Sequence, residues 1–212
     1  MAGEMTDLEK LANVVTARAG AGRVILAIAG APGSGKSTLA EDLVARLNAQ
    51  AEGLAVVLPM DGYHYDDLYL VPAGLRPRKG APQTFDVGGL YHTLKRLRAR
   101  DEAEVAVPVF DRGIEIARAG ARLIPDTVGV IVVEGNWLLL DRVPWDRLRP
   151  MFDLTVMVEV LEPVLRARLL DRWQGLGLSA TEITAKLEEN DLPNGRLVRD
   201  GSVPADFRLA NG

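Results

Sequence analysis

The sequence predicts an open α/β fold, a parallel sheet with helices on both faces. Three observations carry that reading. Four short apolar runs, Val24 to Ala29, Leu54 to Asp61, Val128 to Asn136 and Leu154 to Val160, recur along the chain, and continuous Val/Ile/Leu runs of strand length suit strands covered on both faces. Apolar residues at helical spacing fill the intervals between them. The segment "GAPGSGKST", Gly30 to Thr38, joins the first run to an amphipathic stretch, Ser37 to Asn48. Such a loop does its work only between a strand and a helix N-terminus.

The elements follow in order. Leu8, Leu11, Val14 and Val15 lie at helical spacing and "AGAG", Ala19 to Gly22, supplies a stop, so the chain opens with a helix. The first strand then feeds the glycine-rich loop, and Leu39, Leu43, Val44 and Leu47 mark the inner face of the helix behind it. The second run ends at Asp61, the third carries Glu134 near its end, and "DFRLA" near the carboxyl end gives a fifth strand. Ligands of open α/β sheets bind outside the carboxyl ends of the strands, so Gly30, Asp61 and Glu134 point at one site.

Residues from about 62 to 127 form an excursion between two core strands. "VPAGLRPRKGAP", Val71 to Pro82, is too rich in proline and glycine for regular structure, and "VGGLYHTLKRLRAR", Val87 to Arg100, is a helix. A long polar excursion of this kind is read as the acceptor-binding region. Residues from about 162 to 190 form a lid: "EPVLRARLLDRW" starts a helix at Glu162 and Pro163, sets Arg168 and Arg172 on one face, and runs into glycines at which a lid can hinge.

The whole-chain figures set limits. At 212 residues, 48% of them apolar, the chain makes one domain with a full core, residues 1–212. The net charge of −4 provides no basic footprint for nucleic acid. The absence of cysteine excludes thiolate catalysis, cysteine metal sites and disulfides. No apolar run approaches the ~20 residues of a membrane span and the amino terminus lacks a basic leader segment, so the expected location is the cytoplasm, with no membrane partner. A homodimer is left open.

The chemistry starts at the loop. Gly30, Ala31, Pro32, Gly33, Ser34, Gly35, Lys36, Ser37 and Thr38 complete the pattern G-x-x-x-x-G-K-[ST]. Its backbone N–H groups cradle the phosphates of a nucleotide, Lys36 reaches the β and γ phosphates, and the Ser37 hydroxyl holds Mg²⁺. The loop alone does not choose between kinase, GTPase switch and motor. "DVGG", Asp86 to Gly89, fits the D-x-x-G of a switch, but it does not follow a strand and no guanine-specific N-K-x-D occurs. A kinase needs a base for an acceptor hydroxyl, a second acid to order Mg²⁺, and cations over the transferred phosphate. Asp61, Glu134, and Arg168 with Arg172 stand where those three roles are required. His64 serves equally as a structural hydrogen-bonding residue or a catalyst, and Trp137, Trp145 and Trp173 are packing residues.

With these residues in hand, the chain resembles the P-loop small-molecule kinases related to uridine kinase, phosphoribulokinase and bacterial pantothenate kinase, and looks most like the group known as fructose transport system kinases. The resemblance runs through "GAPGSGKST", "PMDGYHYDD", "RKGAPQTFDVGGL", "VPVFDR", "VVEGNWLLLD", "RARLLDR" and "NDLPNGRLV", nearly the whole chain. It implies an ATP-dependent kinase, with five parallel strands in the order 2-3-1-4-5 and an arginine-bearing helical lid. It also implies Asp61 as base, Lys36 and Ser37 at the phosphates and Mg²⁺, Glu134 as the strand-end acid, Arg168 and Arg172 in the lid, and acceptor contacts from Tyr63, His64, Lys79, Asp86 and Arg112. Uridine kinases usually carry serine after the base and a histidine-bearing stretch where this chain has Gly62 and "KGAPQTFD"; these departures argue against a nucleoside acceptor. The function expected is transfer of the γ-phosphoryl group of Mg·ATP to an alcohol of a small metabolite, a sugar, vitamin precursor or nucleoside. The alternative is a nucleotide-hydrolysing switch with no small acceptor.

Overall fold

The structure is a computed structural model and describes residues 3–212. A two-residue strand β1 (Glu4–Met5) leads into α1 (Leu8–Ala19), whose first turn is capped by Asp7 accepting the Lys10 N–H at 2.8 Å. Then come β2 (Val24–Gly30), the glycine-rich loop, α2 (Lys36–Gln50) and β3 (Ala55–Pro59). The excursion holds α3 (Asp67–Leu70), α4 (Val87–Ala99) and the strands β4 (Glu104–Asp111) and β5 (Ile116–Pro125). The chain re-enters the core as β6 (Val130–Gly135) and β7 (Leu154–Glu159), crosses the top as α5 (Glu162–Gly175), α6 (Ala180–Ala185) and α7 (Leu192–Gly201), and ends in β8 (Phe207–Ala210).

The main sheet is parallel throughout and has six strands, in the order β3-β6-β2-β7-β8-β1. The expected count of five is therefore corrected: β1 adds a sixth strand beside β8, and at two residues it is too short to carry an apolar pattern. Every residue of β2 and β6 is buried, as suits their Val-, Ile- and Ala-rich sequences, and Glu134 is buried with them. Alternate residues feed two cores. Ile25, Ala27, Ile131 and Val133 pack with Leu90, Leu94 and Leu97 of α4 and with Trp137 and Trp145. Leu26, Ile28, Val132 and Val156 pack with α1 and α2 on the other face. Each such leucine, fully buried, contributes about 1.5–3 kcal/mol.

In the excursion, "VPAGLRPRKGAP" forms only short 3-10 turns, Arg76–Arg78 and Pro82–Thr84, while α4 fills the expected helix. The antiparallel hairpin β4–β5 has no counterpart in the sequence reading. Its register shifts between Val107 and Val109, at Pro108, which has no N–H to give the ladder. Val105, Val107 and Ile124 anchor the hairpin in the core, so the segment after β4 is held rigidly over the end of β3. A separate small core, Leu165, Leu169, Ile183, Leu187 and Leu192, ties α5 to the π-helical turn Lys186–Asp191 and to α7.

Candidate active site

The phosphate loop is shaped by its glycines. Gly33 and Gly35 have φ of +78° and +80°, a region side chains disfavour. A Cβ on Gly35 would lie 2.5 Å from Asn211 Nδ2, which itself donates to the Ser34 carbonyl at 2.8 Å. No side chain caps the N-terminus of α2, so its N–H groups remain for a ligand.

Ser37 begins the second layer. Its hydroxyl donates to Glu134 Oε2 at 3.1 Å. Glu134 ends the buried run of β6 and is only 4% exposed, and burial pushes its carboxyl well up, with Lys36 pulling down and Asp61 pushing up. A hydroxyl and a buried carboxylate side by side are hard oxygen donors, and a carboxylate whose charge burial opposes gains most from a cation beside it. These residues fit Mg²⁺, which takes one or two protein oxygens and fills its shell from phosphates and water.

Asp61 stands in the 3-10 turn Met60–Tyr63 just beyond β3. Arg112, delivered by the hairpin, donates from Nη2 to Asp61 Oδ2 at 2.9 Å. His64 Nδ1 lies 2.8 Å from the Asp61 carbonyl oxygen, so that nitrogen carries the hydrogen, and the ring packs at tilts of 42° and 40° against Phe85 and Phe110, with centroids at 4.0 and 4.9 Å. Burial lowers the His64 pKa and favours the neutral ring. Lys79 is buried, donating to Asp67 Oδ1 at 2.9 Å and to the Glu115 carbonyl at 2.7 Å, which ties the excursion to the hairpin tip.

One cavity of about 330 Å³ runs from the phosphate loop to the hairpin, and Lys36, Ser37, Asp61, His64, Lys79 and Arg112 all line it. Pro32, Gly33, Gly35, Thr38 and Arg172 line it too; Gly30, Ser34 and Glu134 are buried and do not reach it, and Ala31 lines a separate cavity formed with β7, α5 and α7. Arg168 does not reach the wall: its Nη1 is buried with no hydrogen-bond partner. Tyr63 is also outside the cavity, in the core, where burial pushes its phenol up to about 12. Asp86 is outside as well and caps α4, accepting the Gly89 N–H at 2.8 Å. A Cβ on Gly89 would lie 2.3 Å from Asp86 Oδ2. The D-x-x-G match is thus a helix cap, with the glycine lying directly beneath the capping carboxylate.

Sequence reasoning gave no role to Asn190, Asp191 and Asn194, which are buried and line the same cavity. Asn190 Nδ2 donates to the Lys79 carbonyl at 3.1 Å and Asn194 Nδ2 to Asn190 Oδ1 at 3.2 Å, so the π-helical turn and the start of α7 are hydrogen-bonded to the excursion. Asn136 also lines the cavity, its Oδ1 buried and unpartnered. Trp173 is half-buried in the wall, unlike Trp137 and Trp145, which are wholly inside the core. The available signal was the stretch "NDLPNGRLV", with three polar side chains within five positions.

No model of a protein family matches the chain. Among curated proteins it is 32% identical over 194 residues to "Putative uridine kinase C227.14" of Schizosaccharomyces pombe, covering 88% of this chain and 83% of that protein. The chain belongs to the P-loop small-molecule kinases of the uridine kinase type. A solved structure of a "putative fructose transport system kinase" from Silicibacter sp. TM1040 superposes on this kinase with a TM-score of 0.87 at 40% identity, over 96% of this chain and 98% of that one. A pantothenate kinase of Rhodopseudomonas palustris is 28% identical over 159 residues, 72% of this chain and 50% of its own length. The kinase is thus an ATP-dependent phosphotransferase acting on a small molecule. Among the described residues no helix is long and apolar enough to cross a membrane.

Proposed function

We propose that this kinase transfers the γ-phosphoryl group of Mg·ATP to an alcohol of a small metabolite, a sugar, a vitamin precursor or a nucleoside, with Asp61 as the base. The observation that carries the reading is the shared cavity: Asp61 opens into the same space as Lys36, with its Oδ2 held by Arg112 and, among the described residues, no hydrogen bond to its Oδ1. The acceptor hydroxyl gives its proton to Asp61 Oδ1 as its oxygen bonds to the γ phosphorus, and the bond to the β-γ bridging oxygen breaks to release ADP. Lys36 neutralises the β and γ oxygens, the N–H groups of α2 hold the phosphates, and Arg172 covers them from the lid while excluding water. Ser37 and Glu134 would hold Mg²⁺, which supplies charge neutralisation at the β and γ oxygens when bound. Arg112 orients the base, and His64 with Phe85 and Phe110 forms an aromatic wall at the acceptor end. Gly62, where uridine kinases carry serine, keeps a sugar or vitamin precursor ahead of a nucleoside among acceptors.

ADP release in the presence of sugars, vitamin precursors and nucleosides identifies the acceptor. With that acceptor, Asp61→Asn should lower kcat by about 10²- to 10⁴-fold while Mg·ATP affinity, read by calorimetry, barely changes. Loss of ATP binding with kcat intact at saturation would instead assign Asp61 to the metal site or the fold.

A further inference from the structure

Two arms of the lid meet on one aromatic ring. Arg172, on the outgoing helix α5, has its guanidinium carbon 5.1 Å from the Trp173 ring centroid, and Lys186, on the returning arm, has its ammonium 5.3 Å from the same ring. Both line the cavity that contains Lys36 and Asp61. Trp173 is fixed from its edge, where Nε1 donates to Asp191 Oδ2 at 2.7 Å. Asp191 is buried, and burial pushes its carboxyl up while Trp173, Lys186 and Arg172 pull the other way.

Other arginines of these elements behave differently. Arg166 is paired with Glu188, and Arg196 with Glu162, both on the outside. Among the described residues, Arg172 and Lys186 form no ion pair, although the chain has acids to spare. A cation resting on an indole face is held more weakly than one hydrogen-bonded to phosphate, and so can be drawn away by it. The local backbone serves the arrangement. In an α-helix, residues five apart lie about 140° apart round the axis. The π-helical turn Lys186–Asp191 has close to one turn in those five steps, which brings the two side chains to one side.

We propose that Lys186 is a second triphosphate-binding cation of the lid, set opposite Lys36 and paired in action with Arg172, with Trp173 and Asp191 as the residues that position it. The inference rests on the kinase reading above. It makes the lid a two-armed clamp, in which phosphate draws the returning arm as well as α5, and it gives the buried Asp191 a purpose: holding the ring on which both cations wait.

The test compares the wild-type protein with Lys186→Met, which keeps the stem and removes the charge, and Lys186→Arg, which restores a cation. Mg·ATP affinity is read by calorimetry, kcat and the acceptor KM by ADP release, and folding by thermal unfolding. Lys186→Met should bind Mg·ATP about 10- to 100-fold more weakly, the loss expected for one charge-assisted contact, and lower kcat, with the acceptor KM and melting midpoint unchanged. Lys186→Arg should recover most of both. Wild-type affinity and kcat in Lys186→Met would overturn the inference and leave the kinase reading standing. A matching loss of melting midpoint that arginine does not restore would overturn it in favour of a packing role. Failure of the wild-type protein itself to bind Mg·ATP would overturn both.

Discussion

Gly62→Ala tests whether the hairpin sets the geometry of the base. The backbone at Gly62 needs no positive φ, so alanine is opposed by space alone. A Cβ built there lies 2.6 Å from the Pro108 carbonyl oxygen and 2.9 Å from its carbon, and the obstacle is backbone, which cannot swing aside. Reaching an ordinary contact of about 3.4 Å means moving the turn or β4 by about 0.8 Å. Overpacking of this kind costs about 1–3 kcal/mol. For a chain of this size that lowers the melting midpoint by about 2–12 °C. The same shift acts on the chemistry, because β4 leads directly to Phe110 and Arg112, and Arg112 must stay 2.9 Å from Asp61. Misplacement approaching 1 Å at a reacting group costs on the order of 10²-fold in rate. Thermal unfolding and ADP release should therefore fall together in Gly62→Ala. Gly212→Ala, outside every helix and strand and at a site where a Cβ meets nothing within 4 Å, serves as the stability control. A Gly62→Ala protein that melts within a degree or so of the wild type and turns over normally would refute the argument that the hairpin positions the base.

Glu134→Gln should raise the Mg²⁺ concentration needed for half-maximal rate, since a neutral amide orders the metal less well, and should leave nucleotide-free thermal stability equal or higher, since it removes a buried charge. An unchanged Mg²⁺ requirement would take Glu134 out of the metal site. His64 makes a pH prediction. Because burial lowers its pKa below 6.5, the unfolded chain takes up more protons than the folded one just below that value, so stability falls as pH drops through this window and levels off below the folded pKa. His64→Gln should flatten that part of the profile, read as urea midpoints from pH 7.5 to 5.5; parallel profiles for the two proteins would count against the buried neutral ring.

The parts legible in the sequence were those dictated locally. The strands β2, β6 and β7 announce themselves because burial on both faces fills them with apolar residues, Glu134 and Thr155 being the buried polar exceptions. The phosphate loop does so because its glycines answer to backbone geometry within a few residues. The hairpin was hidden by Pro108 and by a β5 whose residues are mostly exposed, which leaves no clean alternation to read. Tyr63 and Asp86 were read as acceptor contacts from their motif alone. Yet the D-x-x-G ahead of Leu90, Leu94 and Leu97 is also the signature of a helix cap, and the structure uses it so. Asn190, Asp191 and Asn194 stood in a stretch that carried the resemblance but received no role, because only packing between α5, α7 and the excursion buries them at the cavity.

That division bears on how the kinase selects its acceptor. The proposed phosphate site takes its backbone cradle from one continuous segment, Gly30 to Thr38, and adds Glu134 from β6 and the cations Arg172 and Lys186 from the elements after β7. The acceptor end has no such segment. Asp61 comes from the end of β3, Arg112 from the hairpin, Lys79 and Phe85 from the excursion, and Asn190 from the arm that returns from the lid. These parts are coupled by contacts that leave little play: Gly62 against Pro108, Lys79 to the hairpin tip, and Asn190 to the Lys79 carbonyl. A change of acceptor therefore cannot come from one side chain at the base without moving its neighbours. Serine at position 62, as uridine kinases have it, would put a Cβ into Pro108 and so would require a different path for the hairpin. On this argument, exchanging the hairpin together with position 62 should alter acceptor choice, whereas Gly62→Ser alone should lose rate with every acceptor equally. A Gly62→Ser protein that gains activity toward uridine while keeping its stability would show that the hairpin does not set the choice.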